Sequence, residues 1–349
     1  MTMLAEAVDV VIGVDTHKHT HTAAVIDAAT GAVLDELTVD TDPDGYAELV
    51  AMAERHSGLR AWSIEGTGGY GAGLTRHLAG LDELVVELDR PNRPARRNGA
   101  KSDALDAVRA GREALAREHL AQPRAAGERT ALAVLLAARR SAVDAATVAQ
   151  RQLQALIVTA PELLRGRFRG QSGRVMLTIA AKLRVQSIWD VETSTTARTL
   201  RSLARRSLEL EAEGREHEKA ILVIVKSWQP DLLDQFGVGP IVAATVLCAW
   251  SHAGRCRSEA AFANLAGVAP IPASSGQTTR YRLNRCGDPQ LNRALHIVAM
   301  HRMRHDPATR SYVERRRAEG KTDREIRRCL KRYIARQLFR QLEQPLDAL

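Results

Sequence analysis

Residues 8–15 read VDVVIGVD, an apolar run that ends on the carboxylate of Asp15. Valine and isoleucine favour strands, and a short continuous apolar run is typical of a strand that is buried. The segments 21–26 and 33–39 then alternate between apolar and polar side chains, with a turn at 28–31 between them. This pattern predicts a three-stranded meander that begins with the buried strand.

Two further segments carry carboxylates. Residues 61–64 form a short apolar run that ends at Glu65, which predicts a fourth strand. After another helix and strand, a basic loop over residues 90–101 precedes a helix that carries Asp103 and Asp106. Side chains three residues apart share one face of a helix. The sequence therefore predicts an α/β domain with a mixed sheet and acidic groups at its edge.

The four acids Asp15, Glu65, Asp103 and Asp106 are expected to converge at the strand ends, where open α/β sheets bind ligands. Clustered carboxylates repel each other, and Mg²⁺, which prefers oxygen ligands, relieves that repulsion. A pair of such ions can activate a nucleophile and stabilise the leaving oxygen of a phosphodiester. Each acid also has a structural alternative, since Glu65 fits a turn, Asp103 fits a helix N-terminus, and Asp106 can pair with a neighbouring cation.

The charge balance points to a polyanionic partner. The 349 residues include 50 Lys and Arg against 41 Asp and Glu, a formal net charge of +9. An arginine-rich genome is the alternative explanation of this excess, and nucleic acid is the favoured one. The four cysteines form no C-x-x-C pair, which argues against structural zinc and fits a reducing cytoplasm. The sequence shows no secretory signal and no apolar run long enough for a membrane span.

The rest of the chain is predicted to be helical, so the fold class is α/β plus α. Leucines near heptad spacing around residues 132–156 and 200–228 predict two long helices that pair as a coiled coil. Pro230 marks a boundary, after which the chain is helical and basic. We expect three domains: a catalytic α/β domain at 1–122, a coiled-coil region at 123–229 and a C-terminal domain at 230–349.

Three motifs carry a family resemblance. Residues 13–18 (GVDTHK), 64–68 (IEGTG) and 101–107 (KSDALDA) resemble the signature of the DEDD-type transposases of the insertion-sequence-110 family, which are Piv/MooV-like. The resemblance implies an RNase H/RuvC fold for the N-terminal domain, and it implies that the four acids bind Mg²⁺. His17 and Lys18 are expected beside the site, although a solvated strand end fits them equally well.

A second match lies downstream, in the stretches 263–270 (ANLAGVAP) and 273–277 (ASSGQ). They resemble the family's C-terminal domain, in which a serine before a glycine acts as the nucleophile. By position this serine is Ser275, with Ser274 as its nearest rival. A serine hydroxyl needs a base or a metal to activate it, and no histidine lies beside it in sequence, so the acidic site is the expected activator.

Basic residues around these motifs are the predicted nucleic-acid contacts. Backbone contacts of this kind give salt-dependent affinity that is largely independent of base sequence. The predicted set is Lys18, Arg96, Arg97, Lys101, Arg280, Arg282, Arg285, Arg327, Arg328 and Lys331. Arg280, Arg282 and Arg285 are also placed to neutralise charge on a phosphoryl transition state.

The resemblance implies a site-specific DNA recombinase that cuts and joins strands through a serine–DNA intermediate. It further implies a structured guide RNA encoded by the element, which pairs with donor and target DNA, and a homodimer or tetramer. Four alternatives stay open: a RuvC-like junction resolvase without serine chemistry, an RNase H-like exonuclease, a sugar kinase of the actin-like fold, and a non-catalytic RNA-binding protein. The exonuclease is disfavoured because its first motif is usually Asp-x-Glu, whereas Asp15 is followed by Thr16 and His17.

Overall fold

The computed structural model describes residues 3–88, 102–273 and 281–344. The chain divides into two compact units, Met1–Ala126 and Gly127–Leu349. The first is a mixed sheet with helices and the second is mainly helical, which confirms the predicted fold class. The separation of the helical part at residue 230 into two domains stays a prediction.

The first unit holds a five-stranded mixed sheet in the order β3-β2-β1-β4-β5. Strands β1, β2 and β3 are antiparallel neighbours, as the meander predicted, and β4 and β5 run parallel to β1. Its elements are α1 (Leu4–Ala7), β1 (Val10–Thr16), β2 (Thr20–Asp27), β3 (Val33–Asp40), α2 (Pro43–Glu54), β4 (Arg60–Ile64), α3 (Ala72–Ala79), β5 (Val85–Glu87) and α4 (Asp103–Ala116).

Helices cover both faces of this sheet. Ile12 and Val14 of β1 lie in the core that contains residues of α2 and α3. Val11, on the opposite face, lies in a separate core with Ala107 and Val108 of α4. Because β1 is covered on both faces, its sequence is continuously apolar rather than alternating, and only its last residues reach the sheet edge.

The second unit contains nine α-helices among its described residues, with two short 3₁₀ helices and one two-stranded ribbon. Its elements are α5 (Glu128–Thr159), α6 (Glu162–Arg165), a 3₁₀ helix (Gly166–Phe168), α7 (Gly173–Ala181), α8 (Val191–Trp228), a 3₁₀ helix (Pro230–Asp234), α9 (Pro240–Trp250), α10 (Glu259–Leu265), β6 (Ile271–Pro272), β7 (Tyr281–Arg282), α11 (Pro289–His305), α12 (Pro307–Ala318) and α13 (Asp323–Glu343).

Helices α5 and α8 pair along their length, as the heptad spacing predicted, and they run antiparallel. Leu153 of α5 shares a core with Leu200 near the start of α8. Leu132, at the other end of α5, shares a different core with Ile221. Val143 lies near the heptad stripe of α5 and faces α8, since its Cγ2 is 3.5 Å from where a Cβ on Gly214 would lie, although the side chain is 40% exposed.

Between these two cores the helices meet through small and polar side chains. The buried residues of α5 and α8 there are Ala142, Ala146, Ala149, Ser207 and Gly214. Gln150 donates from Nε2 to Ser207 Oγ at 3.1 Å and to Glu211 Oε1 at 2.8 Å. In the part of the chain that the structure describes, no helix is both long enough and apolar enough to cross a membrane.

Candidate active site

Asp15 and Glu65 occupy equivalent ends of two neighbouring parallel strands. Val14 of β1 is the register partner of Ile64 of β4, so each acid is the next residue along its strand direction. Thr16 strengthens this edge, because its Oγ1 donates a hydrogen bond to the Glu65 carbonyl at 3.0 Å. The Asp15 side chain is 14% exposed, so its carboxylate lies at the rim of the core.

Helix α4 brings Asp103 to the same edge. Ser102 caps the helix, and its Oγ accepts a hydrogen bond from the Leu105 amide at 3.3 Å. Deeper along α4, buried Ser63 of β4 donates to the Ala110 carbonyl at 2.9 Å. This bond ties the helix to the sheet, so the position of the helix start relative to the strand ends is fixed.

Asp15, His17 and Asp103 form a potential metal-binding group. One ligand atom from each side chain lies within 4.8 Å of the other two. His17 Nε2 is 3.9 Å from Asp15 Oδ2, and His17 Nδ1 is 3.5 Å from Asp103 Oδ2. Two carboxylate oxygens and an imidazole nitrogen suit a divalent cation: oxygen favours Mg²⁺, while Mn²⁺ also accepts nitrogen. The residues present therefore fit a divalent cation.

His17 reaches this position because the chain turns back directly after β1. Its amide donates to the Thr20 carbonyl at 3.0 Å, which closes a tight turn between β1 and β2. The side chain, 46% exposed, faces the strand end instead of extending away from it. The sequence predicted His17 beside the site, but nothing in the sequence favoured it over the neighbouring polar residues as a metal ligand.

The other two predicted acids lie outside this group of three. Asp106 Oδ1 accepts a hydrogen bond from Arg109 Nη1 at 2.8 Å, one of the alternatives that its sequence position allowed. Glu65 is half-buried at the end of β4. Among the described residues, the four acids are thus split, because Asp15 and Asp103 belong to the group of three and Glu65 and Asp106 do not.

His21, although close in sequence, belongs to the core. It is fully buried and stacks on Tyr46 with ring centroids 5.8 Å apart. Burial lowers the pKa of His21, and this outweighs its hydrogen bond to the Thr20 carbonyl. His21 is therefore a core residue of β2, and the alternation of histidine and threonine at residues 19–22 belongs to the start of this strand.

Two family models match the chain, and between them they leave out α8. The DEDD-type IS110 transposase model matches residues 12–160, which include Asp15, Glu65, Asp103 and Asp106. The model described as "Transposase IS116/IS110/IS902 family" matches residues 231–314. The chain belongs to the IS110 family of transposases. This confirms the family that the three sequence motifs indicated.

Curated relatives of this IS110-family chain include two proteins of insertion elements. An uncharacterized 43.6 kDa protein of insertion element IS110 from Streptomyces coelicolor is 38% identical over 94 residues, which is 27% of this chain and 23% of the relative. An uncharacterized 42 kDa protein of insertion element IS900 from Mycobacterium paratuberculosis is 35% identical over 92 residues, 26% of this chain and 23% of the relative. The matched stretch thus spans about a quarter of each relative's length.

In this IS110-family chain, the strands β6 and β7 flank residues 274–280, which we call the serine segment. Ser274 and Ser275 lie outside the described residues, as do Arg280 and the predicted contacts Arg96, Arg97 and Lys101. Before and after the segment, β6 and β7 pair antiparallel, with Ile271 opposite Arg282. Asn284 Nδ2 also donates to Asn264 Oδ1 at 2.7 Å. The two chain ends that carry the segment are therefore held side by side.

The described basic residues differ in their surroundings. Those that are exposed are Lys18, Arg282, Arg285 and Arg328. Arg327 and Lys331 of α13 are half-buried against α11. These last two therefore occupy defined positions in the fold, in contrast to the cations that extend into solvent.

Proposed function

We propose that this protein is an insertion-element transposase that cuts and rejoins DNA by phosphoryl transfer. The observation that carries the proposal is the meeting of Asp15, His17 and Asp103 at one sheet edge, within a segment matched by the DEDD-type IS110 model. Carboxylates held together at strand ends suit the binding of a divalent cation next to a phosphodiester. The net charge of +9 suits a nucleic-acid substrate.

Asp15, Asp103 and His17 are the residues proposed to hold Mg²⁺ first, with Glu65 and Asp106 completing the site. For Asp106 this requires the carboxylate to leave its pairing with Arg109. When bound, the ion supplies positive charge to the phosphoryl oxygens and lowers the pKa of an oxygen nucleophile. The protein's own contribution is to orient the carboxylates through β1, β4 and the capped start of α4.

Ser275 is the proposed nucleophile, by its place before a glycine in the segment that the second family model covers. Its Oγ forms a bond to the scissile phosphorus, and the bond from phosphorus to one deoxyribose oxygen breaks. The serine proton passes to a base or water, and the leaving deoxyribose oxygen takes up a proton. Rejoining reverses these steps, because a deoxyribose hydroxyl attacks the phosphoserine and the serine is released.

Donor DNA, target DNA and an element-encoded guide RNA are the proposed partners. Base pairing would then read the sequences, while the protein contacts the strand backbones through arginine and lysine. A homodimer or tetramer is proposed because recombination brings two duplexes together.

The test is recombination between two plasmids that carry the donor and target sites, with the guide RNA supplied. Asp15→Asn and Asp103→Asn are each expected to reduce joined product by at least ~10²-fold, since charge-stabilising groups at a phosphoryl centre contribute on that scale. The matched control is Asp44→Asn, an exposed acid in the first turn of α2, which should recombine normally. Normal recombination by Asp15→Asn would contradict the proposed function.

Covalent protein–DNA adducts separate the serine mechanism from a metal-dependent nuclease. Ser275→Ala should abolish the adduct on a denaturing gel, whereas Ser274→Ala should retain it. If Ser275→Ala still cleaves DNA and Asp15→Asn does not, the protein is a RuvC-like nuclease without serine chemistry.

A further inference from the structure

The basic residues of α13 fall into two groups, and the first is neutralised within the protein. Arg332 Nη2 lies 3.1 Å from Glu259 Oε1, and Arg336 Nε lies 2.7 Å from Glu259 Oε2. Arg340 Nε is 4.0 Å from the same carboxylate. Glu259, at the start of α10, therefore compensates the charge of these arginines. We call the side of α13 that carries Arg332, Arg336 and Arg340 the Glu259 side.

The second group is on the side of α13 that faces α11. Lys331 Nζ donates to Asn292 Oδ1 at 2.9 Å. Arg327 Nε donates to the Asp323 carbonyl at 3.1 Å, and its Nη1 lies 3.9 Å from Met300 Sδ. Within residues 3–88, 102–273 and 281–344, no carboxylate oxygen lies within 4.0 Å of a side-chain nitrogen of Lys331 or Arg327. We call Asn292, His296, Arg327, Arg328 and Lys331 the Lys331 cluster.

The like charges of this cluster act on one another. Burial lowers the pKa of Lys331, and the nearby Arg328 and Arg327 lower it further. Burial also lowers the pKa of His296, with Lys331 and Arg327 contributing in the same direction. Holding cations together in a half-buried place costs free energy unless an anion compensates them. Glu259 forms direct ion pairs inside the fold, whereas the described residues of the Lys331 cluster form no ion pair within 4.0 Å. Asp323 and Glu325 act on Arg327 and Arg328 only at longer range.

The Lys331 cluster is joined by hydrogen bonds to the chain that leads into the serine segment. Asn292, which accepts from Lys331, donates from Nδ2 to the Ala266 carbonyl at 2.7 Å. On the other side of the segment, Gly287 packs so closely that a Cβ there would lie 2.3 Å from the Gly267 nitrogen. Asp288 then caps α11 by accepting from the Gln290 amide at 2.8 Å. Residues 265–267 and 287–288, which flank the stretch that contains β6, the serines and β7, thus meet at the first turn of α11.

We propose that the Lys331 cluster binds a phosphate of the DNA strand that is cut, beside the scissile phosphodiester. This inference rests on the proposed function, because the strand is placed here by the serine segment. An ammonium, two guanidinium groups and an imidazole offer several N–H donors, which match the non-bridging oxygens of a phosphodiester. The cluster positions the strand, and sequence readout is not part of its role.

The experiment compares two charge-removing variants on the same helix. Lys331→Gln removes a cation from the cluster, and Arg336→Gln removes one from the Glu259 side. Affinity for a duplex of about 40 base pairs is measured across a salt series, because each phosphate contact contributes about 0.9 to the slope of log affinity against log salt. Both variants are first compared with the parent protein by circular dichroism and thermal melting, so that loss of folding is separated from loss of binding.

We expect Lys331→Gln to weaken duplex binding roughly tenfold and to reduce the slope by about one, with Arg336→Gln within about twofold of the parent protein. Lys331→Arg should retain most of the affinity. Equal effects of Lys331→Gln and Arg336→Gln would overturn the proposal, as would an effect seen with an RNA hairpin of similar length but not with the duplex.

The two proposals fail separately. If the parent protein binds duplex through Lys331 but Asp15→Asn and Ser275→Ala leave recombination intact, the Lys331 cluster stands as a site for a DNA phosphate, and its place beside the scissile bond falls with the proposed mechanism. If recombination depends on Asp15 and Ser275 while Lys331→Gln binds duplex as the parent protein does, the phosphate site falls alone.

Discussion

Gly13 of β1 and Gly111 of α4 lie so close that a Cβ on Gly13 would be 2.5 Å from the Gly111 nitrogen and 2.1 Å from the Ala107 carbonyl oxygen. Strand and helix backbones are therefore in direct contact at this point. Asp15 follows Gly13 on the same strand, and Asp103 lies about two turns before Gly111 on the same helix. Because Gly13 and Gly111 have no side chains, β1 and α4 approach closely, and this approach sets the separation of Asp15 and Asp103.

Gly13→Ala is expected to push α4 away from β1. A methyl group there meets backbone atoms, which cannot rotate aside, so overpacking should cost about 1–3 kcal/mol. Hydrogen exchange of β1 and α4 amides should show the lower stability, and strand cleavage should fall at least ~10-fold because Asp103 moves from Asp15.

Gly111→Ala provides the matched comparison. Its Cβ would meet Ile26 Cδ1 at 2.5 Å, the far end of a flexible side chain that can change rotamer. A smaller loss than for Gly13→Ala is expected in both measurements. The account of this contact is wrong if Gly13→Ala exchanges and cleaves as the parent protein does.

The carboxylates should differ in their effects on metal binding. Asp15→Asn and Asp103→Asn are each expected to weaken Mn²⁺ binding by the full chain at least ~10-fold in a calorimetric titration, because each removes a charged oxygen ligand. Asp106→Asn should have a smaller effect, since Asp106 must first leave Arg109. A larger loss for Asp106→Asn than for Asp103→Asn would mean that the metal lies further along α4.

Chelation gives a simpler check of the same site. Removing divalent ions should abolish strand cleavage, and adding Mg²⁺ should restore it. Cleavage that persists in excess chelator would contradict metal dependence.

His17 should influence which metal binds. Imidazole nitrogen is a ligand for Mn²⁺ much more than for Mg²⁺. His17→Ala is therefore expected to reduce Mn²⁺ affinity several-fold while changing Mg²⁺ affinity less, in the same titration. Equal losses for the two ions would indicate that His17 orients Asp15 and Asp103 and is not itself a ligand.

Glu83 should make the stability of the first unit depend on pH. It accepts hydrogen bonds from Arg60 Nε and Trp62 Nε1, both at 3.0 Å, and its side chain is 10% exposed. The bond from Arg60 lowers the pKa of Glu83 from its usual 4.5. A carboxylate with a lowered folded-state pKa stabilises the fold above its unfolded pKa, and this stability is lost as pH falls through the folded value.

Glu83→Gln is therefore expected to flatten the loss of stability below about pH 4.5. Hydrogen exchange of β4 amides, corrected for the intrinsic effect of pH, measures this loss. Exposed Glu48 of α2 supplies the control, and Glu48→Gln should follow the parent profile. An unchanged profile for Glu83→Gln would show that the ion pair with Arg60 contributes nothing to folding.

The sheet was predictable because its pattern is local. The unbroken apolar run at residues 10–14 indicated burial on both faces, and the alternation at residues 21–26 and 33–39 fitted the antiparallel strands beside it. Asp15 and Asp103 could be placed at the site because a strand end and a helix start are both visible in the sequence. Their actual separation was not, because it depends on backbone contact between Gly13 and Gly111.

Contacts between small or distant residues could not be predicted. The middle of the α5–α8 pair is lined by alanine, serine and glycine, and the burial of such small side chains leaves no pattern of leucines in the sequence. The basic residues of α13 looked uniform in sequence. Their division depends on Glu259, which lies more than 70 residues before Arg332 and meets it only in the fold.

The hydrogen bonds of Gln150 fix the position of α5 along α8. A shift of α5 along α8 by one heptad, about 10 Å, would part this amide from both Ser207 and Glu211 and leave polar groups facing alanine. Sliding is therefore opposed in either direction. The helix pair acts as a spacer of fixed length, and it holds the hydrophobic cores around Leu132 and Leu153 about 30 Å apart.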